Sequence, residues 1–240
     1  MDILPIILSA IGGIVPAIFW LIFWLQEDRI HPEPKKVIAI AFVLGMFAVV
    51  TSYHAEKLAE SIIPASIVLY TIIVYAGIEE FFKYVAAYIG AFKRKAFDEP
   101  IDAVIYMITA ALGFAALENS FFIITDLLNG DVVGGVITGN LRFIGASLLH
   151  VLASGVVGVF IAITFYKSRA IKILSTIAGL FVATVLHTLF NYALLEDLFR
   201  NMTQYGIFVV FGIVWLSILL LLVIFEKVKR FKNPKGLDVI

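Results

Sequence analysis

The sequence predicts an all-α fold: a polytopic bundle of about seven transmembrane helices. Its 240 residues are 62% hydrophobic and only 15% charged, and their mean hydropathy is +1.03, which is far from the composition of a soluble domain. Apolar runs of about 20 residues, the length that crosses a bilayer, recur along the chain. The number of basic residues alternates between successive connectors, as is typical of multi-pass proteins.

Seven apolar runs qualify as spans. They lie near residues 3–25, 36–53, 62–91, 101–124, 141–166, 171–195 and 205–225. The first run has no basic segment before it and is too long for a cleaved signal peptide, so it is interpreted as a retained span. The connectors are short and polar, without a long linker or an internal repeat. We therefore expect residues 1–240 to form a single domain, embedded in the lipid bilayer of the cell membrane.

The placement of charge predicts the orientation. The net charge is zero and there is no cysteine, which argues against a nucleic-acid partner and excludes disulfides, thiolate nucleophiles and cysteine-ligated metals. Fourteen of the 18 Lys and Arg residues fall on the side of the C-terminus and three on the other, while Lys83 lies within a span. By the positive-inside rule, the N-terminus is expected outside and the C-terminus in the cytoplasm.

Ionisable and strongly polar residues are concentrated in spans three to six. They are Glu79, Glu80, Lys83, Glu118, Asn119, His150, His187 and Asn191. In hydrocarbon such residues each cost kilocalories and usually mark a functional site that faces the bundle interior. The alternative is that these residues only form hydrogen bonds between helices, and this interpretation suits Asn119 better than the others.

The depth of these residues predicts a common site. Glu118, His150 and His187 each lie about seven to nine residues from the outer boundary, a depth of ~10 to 14 Å, on three different helices. The pair Glu79 and Glu80 falls nearer the membrane centre, where a tilt of the third span would bring it to the same cavity. Because Glu79 and Lys83 share a helix face, the lysine can hold one carboxylate ionised and leave the other for proton transfer.

These residue types suit peptide-bond hydrolysis, which needs an activated water, a group that stabilises the oxyanion and an acid for the leaving amine. The chain has no His-Glu-x-x-His helix. Two mechanisms remain open. In one, Glu118, His150 and His187 bind a divalent metal, with zinc preferred, and Glu79 or Glu80 is the base. In the other, no metal is bound, and a glutamate activates water while His187 and Asn191 donate to the oxyanion.

Several short motifs resemble one family. They are "EEFFK" at 79–83, "FDEPIDAVIY" and "GFAALENSFF" within 97–122, "HVLASG" at 150–155 and "HTLFN" at 187–191. Together they resemble the PrsW-type intramembrane proteases, distant relatives of the CAAX prenyl endopeptidases and bacteriocin-processing proteins. The resemblance covers a core of about 62–195. It implies a protease that cuts a membrane-anchored protein near the extracytoplasmic side, as in site-1 cleavage of an anti-sigma factor or a similar regulator.

One position departs from the wider superfamily. Where the prenyl endopeptidases have a histidine four residues after a phenylalanine, "FAALE" places Glu118, so the metal-free mechanism of those relatives does not transfer directly. Asp98, Glu99 and Asp102, around Pro100, are interpreted as an ordinary helix start. The main rival function is a proton-coupled transporter that uses the Glu and His residues as a relay. The chain lacks the paired inverted repeats of many transporters.

Overall fold

The computed structural model describes residues 3–27, 31–63, 67–195 and 206–231, and these ranges are helical with no strand. The all-α prediction is therefore confirmed. The helices are α1 (Ile3–Glu27), α2 (Lys35–Glu60), α3 (Val68–Ala87), α4 (Pro100–Leu128), α5 (Val132–Leu141), α6 (Ser147–Ala162), α7 (Arg169–Leu195) and α8 (Gly206–Val228). Two π-helical segments accompany them: Tyr88–Phe92 extends α3, and Arg142–Ala146 joins α5 to α6.

Six helices in the described ranges are long and apolar enough to cross a membrane. They are α1, α2, α4, α7, α8 and the continuous segment Val132–Ala162, which contains α5 and α6. This segment of 31 residues begins nine residues before the fifth span that the sequence predicts. Helix α3, which carries Glu79, Glu80 and Lys83, is the remaining long helix and packs against α2 and α7. The protein is thus a multi-pass membrane protein, whereas the orientation of its termini stays a prediction.

Helix α4 forms the centre of the bundle. Nearly every residue from Pro100 to Ala116 is buried, as expected for a helix that is apolar all round, and α4 contacts α1, α2 and α6. Its start is a capping box, in which Asp102 Oδ2 accepts the backbone N–H of Glu99 at 2.7 Å and Pro100 occupies the first turn. This confirms the interpretation of these acids as a helix start.

Two glycines allow α2 and α4 to cross closely. A Cβ atom at Gly45 would lie 2.1 Å from the carbonyl oxygen of Ala110, and one at Gly113 would lie 2.0 Å from that of Phe42. Small residues at helix crossings are typical of membrane bundles, where close packing replaces the hydrophobic effect as the source of association. The crossing brings the second half of α2 beside the part of α4 that carries Glu118.

The outer faces of the bundle are apolar. Large hydrophobic side chains such as Phe19 on α1, Phe181 on α7 and Leu216 on α8 are more than half exposed. Exposed apolar surface of this extent is unusual on a soluble monomer. It matches the expected contact with the lipid bilayer.

Candidate active site

A cavity of about 870 Å³ opens among α2, α3, α4, α6, α7 and α8, and the predicted site residues meet there. Its lining includes five of them: Glu79, Glu118, His150, His187 and Asn191. Most of the remaining wall is apolar or aromatic, with Phe114, Leu149 and Phe190 among its members. Pockets of this kind, mostly apolar with a few convergent polar groups, are the usual form of a binding or catalytic site.

Lys83 lies at the centre of the ionisable cluster. Its Nζ is 2.8 Å from Glu80 Oε1, 2.7 Å from His150 Nδ1 and 3.4 Å from Glu79 Oε2. An ammonium group has three protons and no acceptor, so these three contacts use its full donor capacity. The same group lies 4.3 Å from the centre of the Phe114 ring, and the side chain is fully buried. Lys83 therefore places one positive charge between the two α3 carboxylates inside the bundle.

These contacts decide the tautomer of His150. Because the Lys83 ammonium only donates, His150 Nδ1 must accept, and the ring proton lies on Nε2. His150 Nε2 is 3.0 Å from Glu118 Oε2, to which it donates. Ring proton and carboxylate thus fix the orientation of the imidazole.

The two adjacent glutamates have different environments. Glu80 is fully buried, and its carboxylate accepts from His187 Nδ1 at 2.9 Å and from Ser154 Oγ at 3.0 Å, in addition to Lys83. The Glu79 side chain is 12% exposed and lines the cavity, with its Oε2 3.8 Å from His187 Nε2. Of the pair that the sequence could not separate, Glu79 is thus the one that meets the cavity, and Glu80 orients Lys83 and His187.

Arg142 joins the cluster from the π-helical turn after α5. It donates through Nη2 to Glu118 Oε2 and through Nε to Asn119 Oδ1 at 2.5 Å, and its guanidinium lies 3.9 Å from the centre of the Phe122 ring. Asn119 in turn donates to Ser147 Oγ at 3.0 Å. Asn119 is not among the residues that line the cavity, and its side chain links Arg142 to Ser147.

The described residues contain one group of side chains that could hold a metal ion: Glu79, His150 and His187, whose potential ligand atoms lie within 4.8 Å of one another. The sequence prediction had Glu118 in place of Glu79. The difference has a physical reason, since Glu118 Oε2 already accepts from Arg142 and from His150 Nε2. Glu118 therefore orients His150 and is not one of the three potential ligands.

The donor set fits a zinc ion. Two imidazoles and a carboxylate are common ligands of catalytic zinc. Each histidine also has a carboxylate on its other nitrogen, Glu118 for His150 and Glu80 for His187, which is the usual way of orienting a ligating histidine. Lys83 bonds Glu79 and His150 in this structure, so metal binding would require it to release both.

Three residues of the cavity lining, Arg142, Glu56 and Tyr75, are not among the site residues predicted from the sequence. Arg142 was assigned to an outer connector, although it interrupts an otherwise apolar run, which was the available signal. Glu56 and Tyr75 also line the cavity. Glu56 was missed because the second span was ended at residue 53, whereas α2 continues to Glu60.

Comparison with known proteins identifies the family. The family model described as PrsW family intramembrane metalloprotease matches residues 33–221. A protease PrsW from Halalkalibacterium halodurans is 30% identical over 193 residues, which are 77% of this chain and 82% of that protein. Another, from Bacillus subtilis, is 24% identical over 184 residues, 76% of this chain and 81% of that protein. No solved structure matches the chain. The chain therefore belongs to the PrsW family of intramembrane metalloproteases and is an intramembrane peptidase.

Proposed function

We propose that this peptidase cuts a membrane-anchored protein inside the described cavity, near the extracytoplasmic side of the membrane. The observation that carries the proposal is the convergence of Glu79, Glu118, His150 and His187, from four helices, on one cavity of about 870 Å³. A carboxylate and imidazole cluster beside a mostly apolar chamber suits a peptide segment drawn from the bilayer.

The position of the cavity along the helices supports an outer-side cut. Its lining residues come from the second half of α2, the part of α3 from Tyr75 to Glu79, the second half of α4 and the last third of α7. These parts lie at the same end of the bundle. The positive-inside rule assigns that end to the outside, because the basic connectors, such as Lys93 to Lys95, lie at the other end.

Glu79 is our proposed proton acceptor. It is the α3 carboxylate that lines the cavity, so a water molecule there can lose a proton to it during attack on the peptide carbonyl. The same carboxyl group can then return the proton to the leaving amine. Asn191, which lines the cavity one helical turn beyond His187, is placed to donate its amide N–H to the oxyanion. His187 donates its Nδ1 proton to Glu80, so its Nε2, which faces Glu79 at 3.8 Å, can join as a donor only when both ring nitrogens carry protons.

Glu79, His150 and His187 are also our proposed metal ligands. A zinc ion held there would supply Lewis-acid activation of water and of the peptide carbonyl. Glu118 and Glu80 would keep the ligating nitrogens directed at it. Glu79 thus has a role in both mechanisms that the sequence leaves open, and metal analysis distinguishes them.

Two observations support the proposed substrate class: the location of the site within the bundle and the resemblance of the sequence motifs. A peptidase whose site lies within the bundle must receive its substrate from the membrane, which favours a membrane-anchored protein. The resemblance of the sequence motifs implies an anti-sigma factor or a similar regulator, cut at site 1. The family match gives the transporter alternative no support.

Reconstitution in liposomes with a single-span protein substrate tests the proposal. We expect cleavage by the unaltered chain and its loss in Glu79→Gln, Glu118→Gln, His150→Ala and His187→Ala. The control variants are His31→Ala and Glu226→Gln, which change exposed residues outside the cavity lining. Normal cleavage by all four site variants would refute the proposed site, and pH-driven solute uptake without proteolysis would favour the transporter.

A further inference from the structure

Arg142 lies where the chain departs from regular α-helix. The π-helical segment Arg142–Ala146 joins α5 to α6 within one continuous helical stretch, and insertions of this kind often occur at functional sites. Around a regular α-helix, residues eight apart are separated by about 80°. The wider π-helical turn changes this angle. With it, the side chains of Arg142 and His150 both reach the same oxygen atom, Glu118 Oε2.

The Arg142 guanidinium is held on three sides. Nη2 donates to Glu118, Nε donates to Asn119, and the guanidinium plane rests on the Phe122 ring. The side chain is 17% exposed, so these contacts are made largely out of water. A planar fork that bonds two acceptors and stacks on a ring is a geometry that lysine does not reproduce.

We infer that Arg142 is a positioning residue for His150, acting through Glu118. By holding Glu118 Oε2 at His150 Nε2, it maintains the hydrogen bond from Nε2 and so directs the Nδ1 lone pair toward Lys83 and the Glu79 side of the cluster. Removal of such an orienting partner typically lowers activity or metal affinity by about 10- to 100-fold. The inference rests on the proposed function only in assigning His150 to the catalytic centre.

The simpler explanation is that Arg142 only neutralises the Glu118 charge. The two explanations differ for Arg142→Lys, which keeps the positive charge but loses the fork and the ring contact. If neutralisation is sufficient, this variant should behave as the unaltered chain. If positioning is needed, it should fall between the unaltered chain and Arg142→Gln.

The tautomer of His150 is directly measurable. The chain has only four histidines, so nitrogen NMR of the ¹⁵N-histidine-labelled protein in bilayers gives few signals, and His150→Ala assigns the relevant pair. We expect the unaltered chain to carry its His150 proton on Nε2. Arg142→Gln should shift the His150 Nε2 signal, because the bond from Nε2 to Glu118 is weakened, while the Nδ1 signal, whose contact with Lys83 is unchanged, and the His187 signals stay in place. Arg169→Gln, which changes an exposed arginine at the start of α7, is the matched control.

Kinetics supply the second readout. We expect kcat to fall by about 10- to 100-fold in Arg142→Gln with KM nearly unchanged, because the contact affects the reacting group and not substrate binding. Unchanged His150 signals and an unchanged kcat in both Arg142 variants would overturn the inference. So would an Arg142→Lys variant that has the His150 signals and the kcat of the unaltered chain. The NMR result needs no substrate, so it holds even if proteolysis fails. If Arg142→Gln does not fold, Arg142→Lys alone decides.

Discussion

Lys83 Nζ and His150 Nδ1 lie 2.7 Å apart, although 67 residues separate them in the chain. This contact links α3 to α6 and joins two halves of the polar cluster: Arg142, Glu118 and His150 on one side, and Glu80, His187 and Glu79 on the other. The buried lysine is therefore both the counter-charge of the α3 glutamates and the connection between the two histidines.

Replacing Lys83 should strongly destabilise the protein. Lys83→Met leaves Glu79 and Glu80 without their shared cation in the bundle, and breaking a buried ion pair from one side costs about 3 to 5 kcal/mol. Thermal or denaturant unfolding in detergent measures the loss. Lys57→Met, which removes the exposed partner of Glu60, is the control and should change little. A Lys83→Met protein as stable as the unaltered chain would contradict the assigned role. Adding Glu80→Gln should recover part of the stability.

Substitution by glutamine should have different effects at Glu79 and at Glu80. Glu79→Gln should abolish cleavage while the protein keeps most of its stability, because Glu79 faces the cavity with a partly exposed side chain. Glu80→Gln should lower both activity and stability, since its carboxylate bonds Lys83, His187 and Ser154 in a fully buried position. Cleavage rates and unfolding curves of the same preparations compare the two. If Glu79→Gln lost stability as well as activity and Glu80→Gln lost activity alone, the roles assigned to the two glutamates would have to be exchanged.

Metal analysis should separate the two mechanisms. If zinc is bound as proposed, elemental analysis of the purified protein gives about one zinc per chain, and a chelator removes metal and activity together. His187→Ala should lose the metal, whereas His54→Ala, an exposed histidine at the cavity wall, should retain it. Full cleavage by a metal-free preparation would establish the glutamate mechanism without metal.

The crossing of α2 and α4 should be sensitive to a single methyl group. Gly113→Ala would place a Cβ 2.0 Å from the Phe42 carbonyl oxygen, so the helices must separate, at a cost of about 1 to 3 kcal/mol. Gly212→Ala on α8 is the matched control, because nothing lies within 4 Å of its Cβ position. Equal unfolding midpoints for the two variants would show that α2 and α4 are not packed this closely.

Cysteine labelling can test the orientation. The chain has no cysteine, so single-cysteine variants need no other change. In intact cells, a membrane-impermeant thiol reagent should label Ser61→Cys, at the end of α2, and should not label Ser168→Cys, between α6 and α7. Labelling of Ser168→Cys alone would invert the topology and place the cavity on the cytoplasmic side.

The class of the protein and most members of its polar cluster can be predicted from the amino-acid sequence alone. Long apolar runs can satisfy their backbone hydrogen bonds in lipid only as helices, so the all-α bundle followed from composition. Because ionisable residues are costly in hydrocarbon, Glu79, Glu118, His150 and His187 were visible as candidates without any structure.

How these residues are paired is visible only in the folded bundle. Residues 67 or more positions apart, such as Lys83 with His150 and Glu80 with His187, meet through helix rotation and packing, which spacing along one helix does not specify. The same applies to Arg142, which the π-helical turn brings to Glu118. The division of work between Glu79 and Glu80 depends on which carboxylate the neighbouring helices cover. That burial is a property of the assembled bundle.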